Sequence, residues 1–385
     1  MVKHSSRIEL SQSALKKNIN FIRKKIGGHA LISSVVKANA YGHGIDPFVK
    51  MAEKAGVNHF SVASAFEAEE VLRVKADSSS VMIMGILYEV DFEWAVSNEI
   101  EIYVFNFERL EQLRSVTEKL GKKAKIHLEV ETGANRTGIP MTDFSKSISF
   151  LKKHQKQLEF TGLCSHFGGA ESYSSKFKID KQHKTFDELF TVCRKKKNLP
   201  KYRHIASSAA SLMYSDTVYD LVRVGVTQYG FWPSPDVYYH HLQEKGKLSD
   251  NSLKRIISWK TDIMDIREVA EGEFIGYGTA YQATHSMKIA VLPLGYSNGY
   301  PRAQSNRGHV LIRGKKAPIT GLINMNLFMV DISHIPHAVV GDEVVLVGRQ
   351  NNNTINISSF TQVTHLLNNE MLSRLPAAIP RKIVR

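Results

Sequence analysis

Cysteine is scarce in this chain: Cys164 and Cys193 are the only two in 385 residues, which excludes a disulfide framework and a paired-thiolate metal site. Long apolar runs are missing too. No stretch approaches the ~20 residues needed to span a bilayer, and the opening MVKHSSRIELSQSALKKN carries no apolar core of signal-peptide length. The expectation is an unexported, cytoplasmic chain that does not enter a membrane. Internal repeats and low-complexity tracts are absent as well. What remains is ordinary for a globular protein: 43% hydrophobic and 23% charged residues, in a chain long enough for two domains.

The formal charge of +14 raises the question of an acidic partner, and its distribution answers it. The densest basic runs, Arg23 to Lys25, Lys152 to Lys156 and Arg194 to Lys197, fall near the ends of expected helices, where cations suit the macrodipole and usually form solvated faces. No helix-turn-helix, zinc-finger or aromatic RNA-binding pattern accompanies them. No nucleic-acid partner is expected.

Residues 30 to about 225 alternate short β-rich runs with helical patterns. The strand candidates begin at Ala30, His59, Ser80, Glu101, Lys125, Phe160, Arg203 and Asp220. Eight strand-helix units in about 200 residues match the count and length of a (β/α)8 TIM barrel, an α/β fold. The rival, a doubly wound open sheet, lacks its glycine-rich loop after the first strand. Beyond residue 250 the runs become short and β-rich, so a mainly-β domain follows. The expected division is 1–245 and 246–385, with the strand at 7–10 assignable to either part. The segment PSPDVYYHHLQEKGKLSDN reads as the linker.

The chemistry is expected at the C-terminal ends of the barrel strands. Lys37 closes the first strand in SSVVKANAYGHG. A lysine there either snorkels into water or, if buried, loses its charge readily and becomes a nucleophilic amine. Arg136 follows the fifth strand and His166 ends the sixth. Ser207 and Ser208 follow the seventh, and Arg223 with Gly225 ends the eighth. The last two loops are where barrels frequently bind phosphate. A lysine facing a phosphate site suggests pyridoxal phosphate, and a lysine-dependent aldolase acting on a sugar phosphate explains the same residues.

The motif VVKANAYGHG resembles the cofactor-lysine motif of the alanine racemases, the fold-type III pyridoxal-phosphate enzymes. The resemblance continues in family order through ETGANRTG, SHFGGAE, LVRVGVTQYG, IGYGTAY, PLGYSNGYPR, NMNLFMVD and the terminal IPR. It implies a barrel followed by a β-domain in a head-to-tail homodimer with shared active sites. Lys37 would hold pyridoxal 5'-phosphate and act as one base, and Tyr277 of the partner subunit would act as the base on the opposite face. His166 would support that tyrosine's surroundings, and Arg223 would face the pyridine nitrogen without giving up its proton. Tyr41, Ser208 and the backbone N–H groups of Gly225 and Val226 would hold the phosphate. Arg136, assisted by the Met325 backbone N–H from the partner, would bind the carboxylate of an amino-acid substrate, and the product D-alanine would supply peptidoglycan. No metal is expected.

Some positions depart from the family pattern. Glu129 stands where a lysine that becomes carbamylated is common, and supplies a comparable anion beside Arg136. The family's CMD reads Asn324, Met325, Asn326; an arginine usual two residues earlier is Leu322; and a terminal tyrosine is replaced by Ala377. These changes suggest a roomier entrance that accepts amino acids larger than alanine, lysine and arginine among them. A related decarboxylase or lyase, and a cofactor-binding protein without turnover, are the rival readings.

Overall fold

The computed structural model describes residues 4–364 and 366–385. The chain forms two compact units. One comprises Ser13–Lys37 and Phe48–Arg255; the other comprises Ile256–Arg385, the segment Ala38–Pro47 and the N-terminal residues through Gln12.

The first strand, β1 (Ser6–Ser11), belongs to the second unit. The first unit is the barrel. Its strands are β2 (Leu31–Val35), β3 (His59–Ser64), β4 (Ser80–Ile86), β5 (Glu101–Val104), β6 (Ala124–Glu129), β7 (Leu158–Cys164), β8 (Tyr202–His204) and β9 (Leu221–Val224). They pair in parallel in the order β8-β7-β6-β5-β4-β3-β2-β9. A parallel bridge between Ser207 and Arg223, with the Arg223 N–H on Ala206 O at 3.1 Å, joins the two ends. All eight expected strands form. The intervening helices follow from local signals. Asn106 accepts the Arg109 N–H at 2.9 Å to start Phe107–Leu120, and Gly121 at φ +62° ends it.

Barrel interiors are usually layered with branched aliphatic side chains. Here His59, Ser61, Glu101, Tyr103, His127 and Cys164 lie at alternate strand positions and are all buried, while Phe60, Val62, Ile102, Val104, Ile126 and Leu128 occupy the positions between. With a period of two, the polar set shares one face of the sheet.

The supposed linker is corrected by the structure. Pro235–Lys245 is a helix: Ser234 Oγ accepts the Val237 N–H at 3.2 Å, Pro235 sits in the first turn, and Gly246 at φ +60° closes it. Proline at the start of a helix loses nothing, because its missing N–H has no intrahelical partner there. Val237, His241 and Leu242 are buried, and the two units divide after Arg255.

The second unit contains β10 (Ile257–Asp262), β11 (Asp265–Val269), β12 (Met287–Leu292), β13 (His309–Ile312), β14 (Lys315–Thr320), β15 (Phe328–Asp331), β16 (Glu343–Gln350), β17 (Asn353–Ile355) and β18 (Arg381–Val384). Strand β1 joins this sheet, antiparallel to β10 and parallel to β18, with Ile8 opposite both Trp259 and Arg381. Its core is aromatic: Tyr300 packs on Phe328, Phe360 and Trp259 with ring centroids 4.7, 5.2 and 5.7 Å apart.

The segment after Lys37 is the least ordinary backbone. Ala38, Asn39, Ala40 and Tyr41 all have φ of 52–53°, one turn of left-handed helix in which each L-residue costs about 1–2 kcal/mol. Several contacts hold it. Asn39 Oδ1 accepts the Ile45 N–H at 3.0 Å, and His43 Nδ1 lies 3.0 Å from the carbonyls of both Ala40 and Tyr41. The Arg381 guanidinium donates to Gly42 O at 2.9 Å and to Pro376 O, Ala377 O and Ile379 O at 2.8, 2.8 and 2.6 Å. Gly42, at φ +78°, leaves no room for a Cβ, which would lie 1.9 Å from Leu372 O. Gly42→Ala is therefore expected to lower the unfolding free energy by about 3 kcal/mol, through strain and overpacking together. Gly121→Ala, at φ +62° with nothing near the new carbon, should cost about 1 kcal/mol. Urea denaturation of the two variants checks the difference, and equal losses would contradict the close approach at Gly42.

Candidate active site

The C-terminal ends of the barrel strands gather three cationic side chains and the carboxylate of Glu129. Lys37 lies two residues beyond the end of β2 and is exposed, so of the two readings of that lysine the structure shows the one in which the strand end opens to solvent. Among the described residues its amine makes no hydrogen bond or ion pair. Arg136 follows β6, with its side chain 59% exposed and 3.7 Å from the buried Glu129 carboxylate. Glu129 therefore occupies the position from which an anion steers that guanidinium. The loop between them is built on Glu131. Its carboxyl, which burial alone would push up, is held below the ordinary range by the backbone N–H groups of Asn135, Gly133, Arg136 and Ala134.

Arg223, at the end of β9, is 5% exposed. One terminal nitrogen donates to His204 Nδ1 at 2.6 Å and His204 O at 3.1 Å. The other donates to Ser165 O at 2.7 Å, Ile205 O at 3.1 Å and His166 Nδ1 at 3.4 Å. Because a guanidinium only donates, both imidazoles must present a lone pair to it. His166 is neutral accordingly: burial, and then the nearby charges of Arg223, Arg136 and Lys37, lower its pKa to about 3. Ser208 Oγ accepts the Gly225 N–H at 2.9 Å, which leaves the hydroxyl proton to be donated elsewhere. The structure thus brings Lys37, Arg136, His166 and Arg223 into one electrostatic neighbourhood, and links Ser208 to the Gly225–Val226 turn.

The remaining expected site residues lie in the second unit. Tyr41 ends the left-handed turn, and burial raises its phenol to about 12, so it keeps its proton and can donate. Tyr277 stands between Gly276 and Gly278, at φ +79° and +66°. A Cβ on Gly276 would come within 2.6 Å of Met329 Cε, so the chain passes this point as glycine and presents a tyrosine that is 71% exposed. Met325, 55% exposed, is fixed by its carbonyl, which accepts from the Ser297 N–H at 3.0 Å and the Ser297 hydroxyl at 2.7 Å. Tyr277 and Met325 line the same open cleft of about 880 Å³, with Phe274, Tyr296, Arg302 and Ile323.

Comparisons with known proteins cover both units. Residues 10–233 match the model of the alanine racemase N-terminal domain and residues 256–383 that of the C-terminal domain. The chain belongs to the alanine racemase family. The alanine racemase of Halothermothrix orenii is 32% identical over 97% of this chain and 95% of its own length. That of Leptospira interrogans is 30% identical over 99% and 96%. The alanine racemase from a D-cycloserine-producing Streptomyces lavendulae superposes with a TM-score of 0.88 at 27% identity, covering 100% of this chain and 98% of that one. The Bacillus anthracis alanine racemase with bound L-Ala-P gives 0.86 at 27%, covering 100% and 96%. The alanine racemase family consists of isomerases, and amino-acid racemisation is the activity that goes with membership.

Sequence reasoning missed the polar interior below Arg223. Its signal was present as polar residues at every second position of strands taken as simply apolar, such as His59 and Ser61, or His127 and Glu129. A consequence follows for acid stability. His166, at about 3, and His43, brought down to about 4 mainly by burial, bind no proton when folded near neutrality but protonate at about 6.5 when unfolded. The unfolded state gains protons first as pH falls, so stability is full above about 6.5 and drops below it. Each histidine contributes up to about 1.4 kcal/mol per pH unit until its folded pKa is reached. Urea midpoints at pH 7.5 and 5.0 should differ in that direction, and equal midpoints would contradict neutral burial.

Proposed function

We propose that this protein is a cytoplasmic, homodimeric, pyridoxal 5'-phosphate-dependent racemase that interconverts L- and D-alanine and supplies D-alanine for peptidoglycan. The observation that carries the reading is the barrel-end cluster: an unpaired lysine amine, two guanidiniums and a histidine kept neutral by them, in a chain that matches alanine racemases along nearly its whole length. The donor set fits the cofactor. A free amine suits its aldehyde, a buried guanidinium suits an unprotonated pyridine nitrogen, and a protonated phenol with a serine hydroxyl suits its phosphate.

In this mechanism Lys37 would hold the cofactor, Arg223 would donate to its ring nitrogen, and Tyr41, Ser208 and the Gly225 and Val226 N–H groups would bind its phosphate. Bound pyridoxal phosphate supplies an electron sink that acidifies the substrate's α-C–H bond. Arg136 binds the substrate carboxylate, steered by Glu129, with the Met325 N–H of the second subunit assisting. Lys37 takes or returns the α-proton on one face, and Tyr277 of the partner subunit does so on the other. Because Arg223 keeps its proton, it would leave the ring nitrogen of a bound cofactor unprotonated, which would limit charge delocalisation and favour return of the proton over side reactions. His166 stays neutral and accepts from Arg223 through Nδ1.

Incubation with pyridoxal phosphate and single-enantiomer alanine in deuterated water should give α-deuteration with inversion. Lys37→Ala should abolish it. Tyr277→Phe should slow inversion by about 10²–10⁴-fold, as expected for loss of one general base, while deuteration from the other face continues. Exchange without any inversion in the unmodified protein would sink the two-base reading, and carbon dioxide or ammonia release would favour a decarboxylase or lyase.

A broader substrate range is the second reading, favoured by Ala377, which is exposed and carries only a methyl group. Turnover of lysine, arginine, serine or methionine within about tenfold of alanine would support it. Ala377→Tyr should then reduce kcat/KM for the larger substrates at least tenfold relative to alanine, and an unchanged ratio would remove Ala377 from the account.

A further inference from the structure

Arg223 is the upper end of a line of hydrogen bonds that runs down the barrel interior. His204 accepts from Arg223 through Nδ1 at 2.6 Å, and its Nε2 lies 2.8 Å from His127 Nδ1. His127 Nε2 lies 2.7 Å from Glu101 Oε2, and the same oxygen is 3.0 Å from His59 Nε2. His59 Nδ1 is 2.9 Å from Ser33 Oγ, which in turn hydrogen-bonds Ser61 Oγ. His204 and His127 are fully buried, His59 and Glu101 very nearly so. None of these four groups touches solvent in a way that a catalytic role on substrate would need.

The polarity of the line follows from its ends. Arg223 can only donate, so His204 Nδ1 must be bare. A neutral His204 then carries its proton on Nε2 and donates to His127 Nδ1, which must also be bare. His127 therefore carries its proton on Nε2 and donates it to Glu101, whose carboxylate only accepts. A donor that cannot accept stands at one end and an acceptor that cannot donate at the other, and a single tautomer of each intervening histidine satisfies both. The electrostatics agree. Burial, with Arg223 beside it, holds His204 well below its ordinary range, and burial keeps His127 low against the pull of Glu101. The Glu101 carboxyl is resisted by burial, but hydrogen bonds from His127 and His59 outweigh this and keep it ionised. The line thus has one cation at the top, one anion below and neutral imidazoles between.

We propose that Glu101 is a positioning residue for Arg223, acting through His127 and His204: its carboxylate selects the tautomer that leaves His204 Nδ1 as an acceptor and so fixes the guanidinium where the cofactor's ring nitrogen is read. The inference rests on the reading of Arg223 as the partner of that nitrogen. Without the carboxylate, the His127 Nε2–H has no acceptor. The line then relaxes toward the reverse tautomers, which set a His204 Nδ1–H against Arg223 and push the fork away.

Histidine-selective ¹⁵N spectra of the apoprotein test the tautomers directly. In the unmodified protein His204 and His127 should be neutral with the proton on Nε2; a protonated His204 Nδ1 would overturn the proposal whether or not any variant folds. In E101M a His204 species protonated on Nδ1 should appear, pyridoxal phosphate affinity should fall at least tenfold, and the visible band of the bound cofactor should shift. E101Q, whose amide oxygen accepts but carries no charge, should fall between. H127L cuts the same line, so the double variant should lose no more affinity than the worse single one, because groups acting along one path are not additive. Additive losses, or an E101M protein with wild-type tautomers and affinity within twofold, would overturn the assignment. The tautomer and affinity measurements need no amino acid, so a protein that fails to racemise alanine but shows these effects separates the failure of the functional reading from this one.

Discussion

A permanent cation inside a barrel is the constraint from which most of the first unit follows. A guanidinium cannot relieve its burial by shedding a proton, so everything around Arg223 must accept from it. Three carbonyls, of Ser165, His204 and Ile205, and two imidazole nitrogens do so. That demand propagates: a histidine that accepts on one side must donate on the other. The interior therefore carries polar side chains until a carboxylate, Glu101, ends the sequence of donors. A layered aliphatic core would pack well and leave Arg223 uncompensated, at a cost of several kcal/mol for an unpaired buried charge. The outward positions of the same strands, Ile102, Val104, Ile126 and Leu128, remain apolar, so the barrel keeps a hydrophobic layer outside its polar centre.

The second constraint is backbone. Lys37 is the last residue of the barrel unit's first segment and Ala38 the first of a segment assigned to the other unit. Four left-handed residues in succession are costly, and they persist because fixed partners over-determine them. Arg381 is the main one. Its single side chain ties Gly42 O to the carbonyls of Pro376, Ala377 and Ile379. The strand that carries Arg381, β18, lies beside β1, so the two ends of the chain and the turn that presents Tyr41 are built into one sheet and its margin.

Much of this was legible in the sequence. The eight barrel strands were marked by β-rich runs at regular spacing, and the ordered motifs marked the family. Other features were hidden for physical reasons. A lysine closing an apolar strand looks the same whether the strand end is capped or open, and only the fold shows that Lys37 is exposed. Ser234, Pro235 and Asp236 serve equally as a loop or as the first turn of a helix, and the burial of Val237 and Leu242 decides for the helix. Glu101 read as the polar start of a strand, because its partners His59 and His127, and His204 beyond them, lie on three other strands. Long-range polar networks leave only a period-two trace in each strand, too weak to join across the sheet without the fold.

The charge balance at the barrel mouth ties these threads together. Lys37, Arg136 and Arg223 are cations around His166, and their combined field, added to burial, keeps that imidazole neutral far below its ordinary pKa. Glu129 is buried beside them and leans toward Arg136. An anion entering the mouth meets these cations together with oriented donors. A second carboxylate placed beside Arg223 would compensate the cation more directly. It would also compete with any acceptor brought to the guanidinium from above. Placing the compensating anion two imidazoles away, at Glu101, connects it to the cation through neutral histidines and puts no carboxylate beside the guanidinium.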